Sequence, residues 1–184
     1  MTGKTTLARY HASILTEADY QVVVYDPVGT HTANGYWPDK AEIITEQDKF
    51  LRRIKALSAS DIDEDPVFVF VDESADIFNH REPDALAIPR RCRHDGVYLR
   101  LISQRPKMLH PSARTQCSIG YMFRLSQDDA RMVCADFGHG AEVYNIPLDK
   151  GDFILLESGS ARVSQYSLQT LVPGFGQPQR RNSP

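Results

Sequence analysis

Residues 67–73, Val-Phe-Val-Phe-Val-Asp-Glu, constrain the fold of this chain more than any other segment. Five consecutive β-branched and aromatic residues predict a strand. A half-exposed strand alternates apolar with polar side chains. This one is apolar on both faces, so both faces must be covered, as in a parallel sheet layered between helices. The two carboxylates that follow fall at the carboxyl end of the strand, the edge where open α/β sheets bind ligands.

The rest of the chain alternates in the same way. Leu7, His11, Ile14 and Ala18 recur at three- and four-residue steps and predict a helix from Lys4 to Ala18 with those residues on its inner face. Gln21–Tyr25 is a β-branched run stopped by Asp26-Pro27. Residues 28–40 read as loop, and 41–44 as a short strand. Thr45-Glu46-Gln47-Asp48 resembles a capping box ahead of an apolar helical face of Phe50, Leu51, Ile54 and Leu57. Further segments are a helix over 83–95 interrupted at Pro89, strands over 97–103 and 119–125, and a helix over 127–137 closed by Gly138. A terminal strand pair, 153–156 and 162–168, flanks the turn at 157–160. The expected architecture is α/β with a mainly parallel sheet flanked by helices. Residues 1–172 are expected to form one core, and the Gly-, Pro-, Gln- and Arg-rich residues 173–184 a disordered tail.

Composition narrows the function. The 184 residues are 41% hydrophobic and 24% charged, enough for one domain with a real core. The formal charge of -3 argues against a generally basic nucleic-acid coat, although basic residues concentrate between Arg90 and Lys107. Cys92, Cys117 and Cys134 lack metal-ligand or CxxC spacing and read as reduced structural thiols. No apolar run reaches the roughly 18 residues of a membrane span. No signal-peptide pattern opens the chain, so the expected location is the cytoplasm or a particle assembled there.

Three segments carry chemistry. Gly3, Lys4 and Thr5 fit the last three positions of the phosphate-binding loop G-x-x-x-x-G-K-[ST]. In such a loop Gly3 lets the backbone approach phosphate, and Lys4 reaches the β- and γ-phosphates. The Thr5 hydroxyl ligates Mg²⁺, and the helix start at Lys4-Thr5-Thr6 presents N–H groups and a positive dipole end. Asp72-Glu73 after its apolar strand is a Walker B pattern, with Asp72 on Mg²⁺ and Glu73 as the base that polarises water. The strand from Val97 ends in Ser103-Gln104-Arg105-Pro106, and the Gln104 amide can both donate to a γ-phosphate and accept from water. Read structurally, these are a helix start, an acidic turn and a solvent-facing strand end; their joint order favours the nucleotide reading.

With these elements in order the chain resembles the FtsK/HerA superfamily of P-loop ATPases. The likeness rests on Lys4-Thr5-Thr6, Val24-Tyr25-Asp26-Pro27, Val71-Asp72-Glu73, Arg93-His94-Asp95-Gly96-Val97, Ser103-Gln104-Arg105-Pro106, and Phe123-Arg124-Leu125 with Asp128-Asp129-Ala130. It is greatest for the single-domain genome-packaging ATPases of membrane-containing viruses and phages. The resemblance implies a RecA-like core of the ASCE type, ATP and Mg²⁺ as ligands, and double-stranded DNA as partner. It implies self-association into a ring, a hexamer being the candidate size, and a portal or membrane-vertex protein as a docking partner. It also implies an arginine acting in trans, with Arg93 the first candidate and Arg91 and Arg105 the alternatives. The first core strand, which would lie beside the Gln104 strand, and the first three loop positions have no counterpart here. The expectation is a misassigned start or a fragment, an intact degenerate protein being the alternative. A nucleoside or small-molecule kinase and a non-catalytic assembly module are the competing functions.

Overall fold

The computed structural model describes residues 3–29, 37–59, 65–79, 85–92, 94–173 and 175. Strand β3 (Val67–Val71) lies between β1 (Val22–Tyr25) and β4 (Val97–Leu101), and β2 (Glu42–Ile44) flanks β1. All pairings are parallel, giving the order β2-β1-β3-β4. The register sets Tyr25 beside Val71 and Val71 beside Leu101, so the carboxyl ends of the three long strands are level.

Both faces of this sheet are covered, as the apolar run demands. Val22, Val24 and Phe70 point to helix α1 (Lys4–Glu17) and pack with Ala8, Ala12, Trp37 and Ile102. Val23, Val67, Val69 and Val71 point the other way, onto helix α2 (Gln47–Leu57) and the segments holding Ile77, Phe78 and Ile88. Helix α3 (Ile88–Cys92), preceded by a tight 3₁₀ turn over Ala85–Ala87, closes that layer.

After β4 a 3₁₀ turn (Pro106–Met108) and α4 (Pro111–Arg114) lead to a second, antiparallel sheet of order β5-β6-β7, made of Ile119–Phe123, Asp152–Glu157 and Ser164–Ser167. Helices α5 (Gln127–Asp136) and α6 (Ala141–Tyr144) cover it through Ala130, Cys134, Val143 and Phe137, which meet Met122, Ile154 and Leu156. Ser126 caps α5: its hydroxyl accepts the Asp129 N–H at 3.2 Å. The largely buried Arg114–Asp136 ion pair, 2.7 Å, ties α4 to α5. Helix α7 (Leu168–Leu171) puts Leu168 into a small core with Leu7, Phe123 and Phe153, where the start of α1 meets the second sheet. Among the described residues β4 pairs only with β3 and β5 only with β6. No described helix is long and apolar enough to cross a membrane. The three cysteines are free thiols.

Several expectations need correction. The inner face of α1 is Leu7, Ala8, Ala12 and Thr16, not Leu7, His11, Ile14 and Ala18; Ile14 is 46% exposed. The helix lies on the sheet through small residues, and Thr16 can be buried because its hydroxyl donates to the Ala12 carbonyl at 3.0 Å. The capping box at Thr45 does not form. The N-cap is Glu46, with no side-chain cap bond, because the helix starts one residue later than that motif requires. The strands expected over 97–103 and 119–125 stop at Leu101 and Phe123, and among the described residues of the helix expected over 83–95 there are two short turns, Ala85–Ala87 and Ile88–Cys92. The expected parallel sheet flanked by helices is present as β2-β1-β3-β4, and the antiparallel β5-β6-β7 sheet stands beside it. Of the proposed tail only Pro173 and Phe175 fall within the described residues.

The packing of α1 makes a direct test. Ala12→Leu overpacks the helix–sheet contact and is expected to lower stability by about 1–3 kcal/mol, whereas Ile14→Ser stays within about 0.5 kcal/mol of the parent. Urea midpoints of the two variants check this; equal losses would return Ile14 to the core.

Candidate functional site

The site assembles at the level carboxyl ends of β3 and β4. Asp72 follows β3 directly and is 8% exposed; its Oδ1 accepts the Glu73 N–H at 3.1 Å. Glu73 has a left-handed backbone, φ 48°, which for a glutamate is strained. That conformation swings its carboxylate out of the strand direction. The turn is clamped to β4, because both the N–H and the hydroxyl of Ser74 donate to the Ile102 carbonyl, at 2.9 and 2.8 Å.

Gln104 lies three residues beyond β4, and its Nε2 donates to Oε1 of Glu73. The adjacency expected of the two strand ends is therefore present as a hydrogen bond. Lys4 comes from the opposite side, as the first residue of α1. Burial pushes its pKa down, and the charges of Glu73 and Asp72 draw it back up. The lysine is thus partly stripped of water beside two carboxylates. A phosphate that displaced them would meet an ammonium short of hydration.

Gly3 caps α1 with φ 102°, a left-handed geometry, and its missing Cβ leaves room for Leu168 and Phe123. The first helical bond runs from the Leu7 N–H to the Gly3 carbonyl at 2.9 Å. The amides of the first turn therefore point along the axis at its amino end. Thr5 and Thr6 are half-buried in that turn. The Thr5 hydroxyl and Asp72 carboxylate are hard oxygen donors of the type Mg²⁺ takes. Among the described residues there is no cluster of three or more metal-ligating side chains.

The arginines are less gathered. Arg93 lies outside the described residues, and Arg91 and Arg105 are exposed, at the end of α3 and just after Gln104. One further polar group was not singled out for a role by the sequence. Asp26 is fully buried; its Oδ1 accepts the Val28 and Gly29 N–H groups at 3.2 Å, and its Oδ2 accepts the Trp37 indole N–H at 3.3 Å. It pins the loop after β1 beside the site. The Asp-Pro-x-Gly spacing, an Asx-turn pattern, is the signal that could have marked it.

No protein-family model matches the sequence, and no curated protein matches it. Solved structures do. The genome packaging NTPase B204 from Sulfolobus turreted icosahedral virus 2, in complex with AMPPCP, superposes with a TM-score of 0.73 at 18% identity, over 90% of this chain and 91% of that one. The DNA-packaging ATPase B204 of Sulfolobus turreted icosahedral virus gives 0.73 at 17% identity, over 90% and 92%. The pCW3 conjugation coupling protein TcpA, with ATPgS, gives 0.66 at 16% identity, over 90% of this chain and 56% of that one. The chain therefore has the fold of these NTPases, an α/β core with a parallel sheet flanked by helices.

The strain at Glu73 has a measurable consequence. Glu73→Gly removes the left-handed penalty and is expected to leave stability unchanged or to raise it by about 1 kcal/mol, while Glu73→Val lowers it by about 1–2 kcal/mol. Thermal unfolding of the pair checks this; a Glu73→Gly variant clearly less stable than the parent contradicts the backbone assignment.

Proposed function

We propose that this chain is the catalytic core of an ATP-hydrolysing motor that moves double-stranded DNA, in the setting of viral or phage genome packaging. The observation that carries the reading is the Gln104–Glu73 hydrogen bond between adjacent strand ends, facing Lys4. A carboxylate held by an amide opposite a dehydrated lysine suits attack of water on a terminal phosphate. The packaging setting draws support from the shared fold with B204 over nearly the whole chain.

In this reading Lys4 and the first-turn amides of α1 bind the β- and γ-phosphates, with Gly3 allowing close approach. Thr5 and Asp72 would hold Mg²⁺, which neutralises charge on the phosphates when bound. Glu73 orients and polarises the attacking water. Gln104 has two choices of partner. It donates to Glu73 in the structure, and a γ-phosphate offers a competing acceptor. Transfer of that bond frees the carboxylate to accept from water, so the base is armed only when the nucleotide is complete. Arg93 is the first candidate to reach a neighbouring subunit's nucleotide, with Arg91 and Arg105 as alternatives. That role requires a ring, for which a hexamer is the candidate. Basic residues between Arg90 and Lys107 are the candidate DNA contacts, and a portal or membrane-vertex protein is the candidate docking partner. The host cytoplasm or the virion is the candidate location in this reading.

The test is Mg·ATP hydrolysis with and without duplex DNA. Turnover is expected to rise with DNA and to weaken as salt is added. Glu73→Gln should lower turnover by about 10²–10⁴-fold with nucleotide still bound. Lys4→Ala should weaken nucleotide binding as well. Unchanged rates in both variants would remove the site, and DNA-independent transfer of phosphate to a nucleoside would replace the motor with a kinase.

A further inference from the structure

Two glycines where α1 meets the second sheet each have another residue's side chain in the place of their own Cβ. At Gly3, φ 102°, that side chain is Leu168 of α7, and the Phe123 ring stands 3.2 Å from the Cβ position. At Gly151, in the turn before β6, φ is 95° and the Phe175 ring lies 2.6 Å from the Cβ position. A left-handed backbone already favours glycine at both places. The close packing is a second demand, because either methyl would push a large side chain out of its seat.

The two contacts belong to one assembly. The Gly151 carbonyl accepts the Leu168 N–H at 3.0 Å, which fastens the start of α7 to the turn before β6. The Val172 N–H then donates to the Leu168 carbonyl at 2.9 Å, and the Phe175 N–H to the Val172 carbonyl at 3.1 Å. Leu168 is fully buried with Leu7, Phe123 and Phe153, and Leu171, Val172 and Phe175 pack against that cluster. Gly151 is held from two sides, by the Leu168 amide on its carbonyl and by the Phe175 ring on its Cα. Helix α7 has only four residues, too few to be stable on internal hydrogen bonds. The place of Leu168 is therefore set by how the segment is tied at Gly151.

That place matters because of what Leu168 backs. The Gly3 carbonyl accepts the first helical bond of α1, and the next residue, Lys4, stands beside Asp72 and Glu73. We propose that α7 and Phe175 act as a clasp on the phosphate-binding turn. Phe175 and Gly151 seat Leu168, and Leu168 backs Gly3 so that Lys4 and the first-turn amides of α1 hold one position before a nucleotide arrives. Leu168 and Phe175 are positioning residues that touch no phosphate themselves. Their role rests on the nucleotide reading of the site. A turn already fixed binds phosphate without an ordering cost, and removing that cost is what the clasp contributes.

The test compares the 184-residue chain with Phe175→Ser, Phe175→Leu and Gly151→Ala. Hydrogen exchange at the Leu7 amide reports on the first turn of α1, with residues 67–71 of β3 as the internal reference. Calorimetry gives the affinity for Mg·ATP and for Mg·tripolyphosphate. Phe175→Ser is expected to speed exchange at Leu7 by about tenfold and leave β3 unchanged. It should weaken both ligands alike, by about tenfold. Phe175→Leu, which refills most of the space, should return all three readouts to within about twofold of the parent. Gly151→Ala should act in the same direction as Phe175→Ser, and its effect on Leu7 should shrink when Phe175→Ser is also present, because the methyl then meets no ring. Unchanged exchange at Leu7 in Phe175→Ser overturns the clasp. So does acceleration that spreads equally to β3, which makes Phe175 an ordinary stability contact. Faster exchange at Leu7 with both affinities unchanged overturns it as well, and so does a loss for ATP with tripolyphosphate unaffected, which makes Phe175 a contact of the nucleoside. A parent chain that binds neither ligand is a different failure: it removes the nucleotide reading, and with it the role of the clasp at phosphate.

Discussion

Strand β3 is paired on both edges and covered on both faces, and the chemistry of the site depends on that confinement. It cannot shift along its axis without breaking the ladders to β1 and β4 together and turning Val69 and Phe70, both fully buried, out of their layers. Asp72 and Glu73 are therefore presented at a fixed height. Two neighbouring carboxylates, one of them buried, repel each other and lose hydration. The arrangement holds because each has partners: Asp72 the Glu73 N–H, Glu73 the Gln104 amide, and both the nearby Lys4 charge. The lysine's own loss of water is in turn offset by the carboxylates. Each of the three charges is oriented by the others, Glu73 through Gln104 and Lys4 through both carboxylates.

Much of this was legible because it depends on local pattern. Five apolar residues in a row admit few environments, so β3, its coverage and the place of Asp72 followed from residues 67–73 alone. Gln104 was legible as the polar end of a second strand. What joined it to Glu73 was the order of strands in the sheet, which the resemblance supplied and no residue pattern encodes. The inner face of α1 was misread for a physical reason. The larger side chains of Ile14 and His11 outweighed the alanines in the three- and four-residue pattern, but close approach of a helix to a sheet selects small residues. The antiparallel β5-β6-β7 sheet was half legible. Its last two strands flank an obvious turn, whereas the pairing of β5 with β6 closes a loop of nearly thirty residues and leaves no local trace.

Histidine 11 shows how a residue misassigned in one role can inform another. It does not sit in the core of the parallel sheet. It packs edge-on against Tyr121 of β5, with ring centres 5.4 Å apart, and lines a cavity of about 420 Å³ that β4 and β5 also line. Burial first, and then the positive Arg100, push its pKa down to about 4, so it is neutral at ordinary pH. A neutral imidazole is compatible with an apolar neighbour, and a charged one beside Arg100 is not. The Arg100 guanidinium meanwhile lies over Phe68 and Phe70, at 5.8 and 5.5 Å, which orients it without satisfying its Nε.

The same geometry links the second sheet to the amino-terminal end of α1. Gly3 is in contact with Phe123 and Leu168, which belong to the core shared by β5, β6 and α7. Lys4, one residue on, is at the carboxylates of β3. A displacement between the two sheets therefore falls on the turn that positions Lys4, because Gly3 has no slack: a side chain there would collide with the second sheet, and its backbone is already left-handed. The linking element runs from Gly3, which lies against the second sheet, to Lys4, which lies beside the carboxylates of β3. Here that element is two residues long. Its short span makes the position of the ammonium depend on how the second sheet packs against the start of α1.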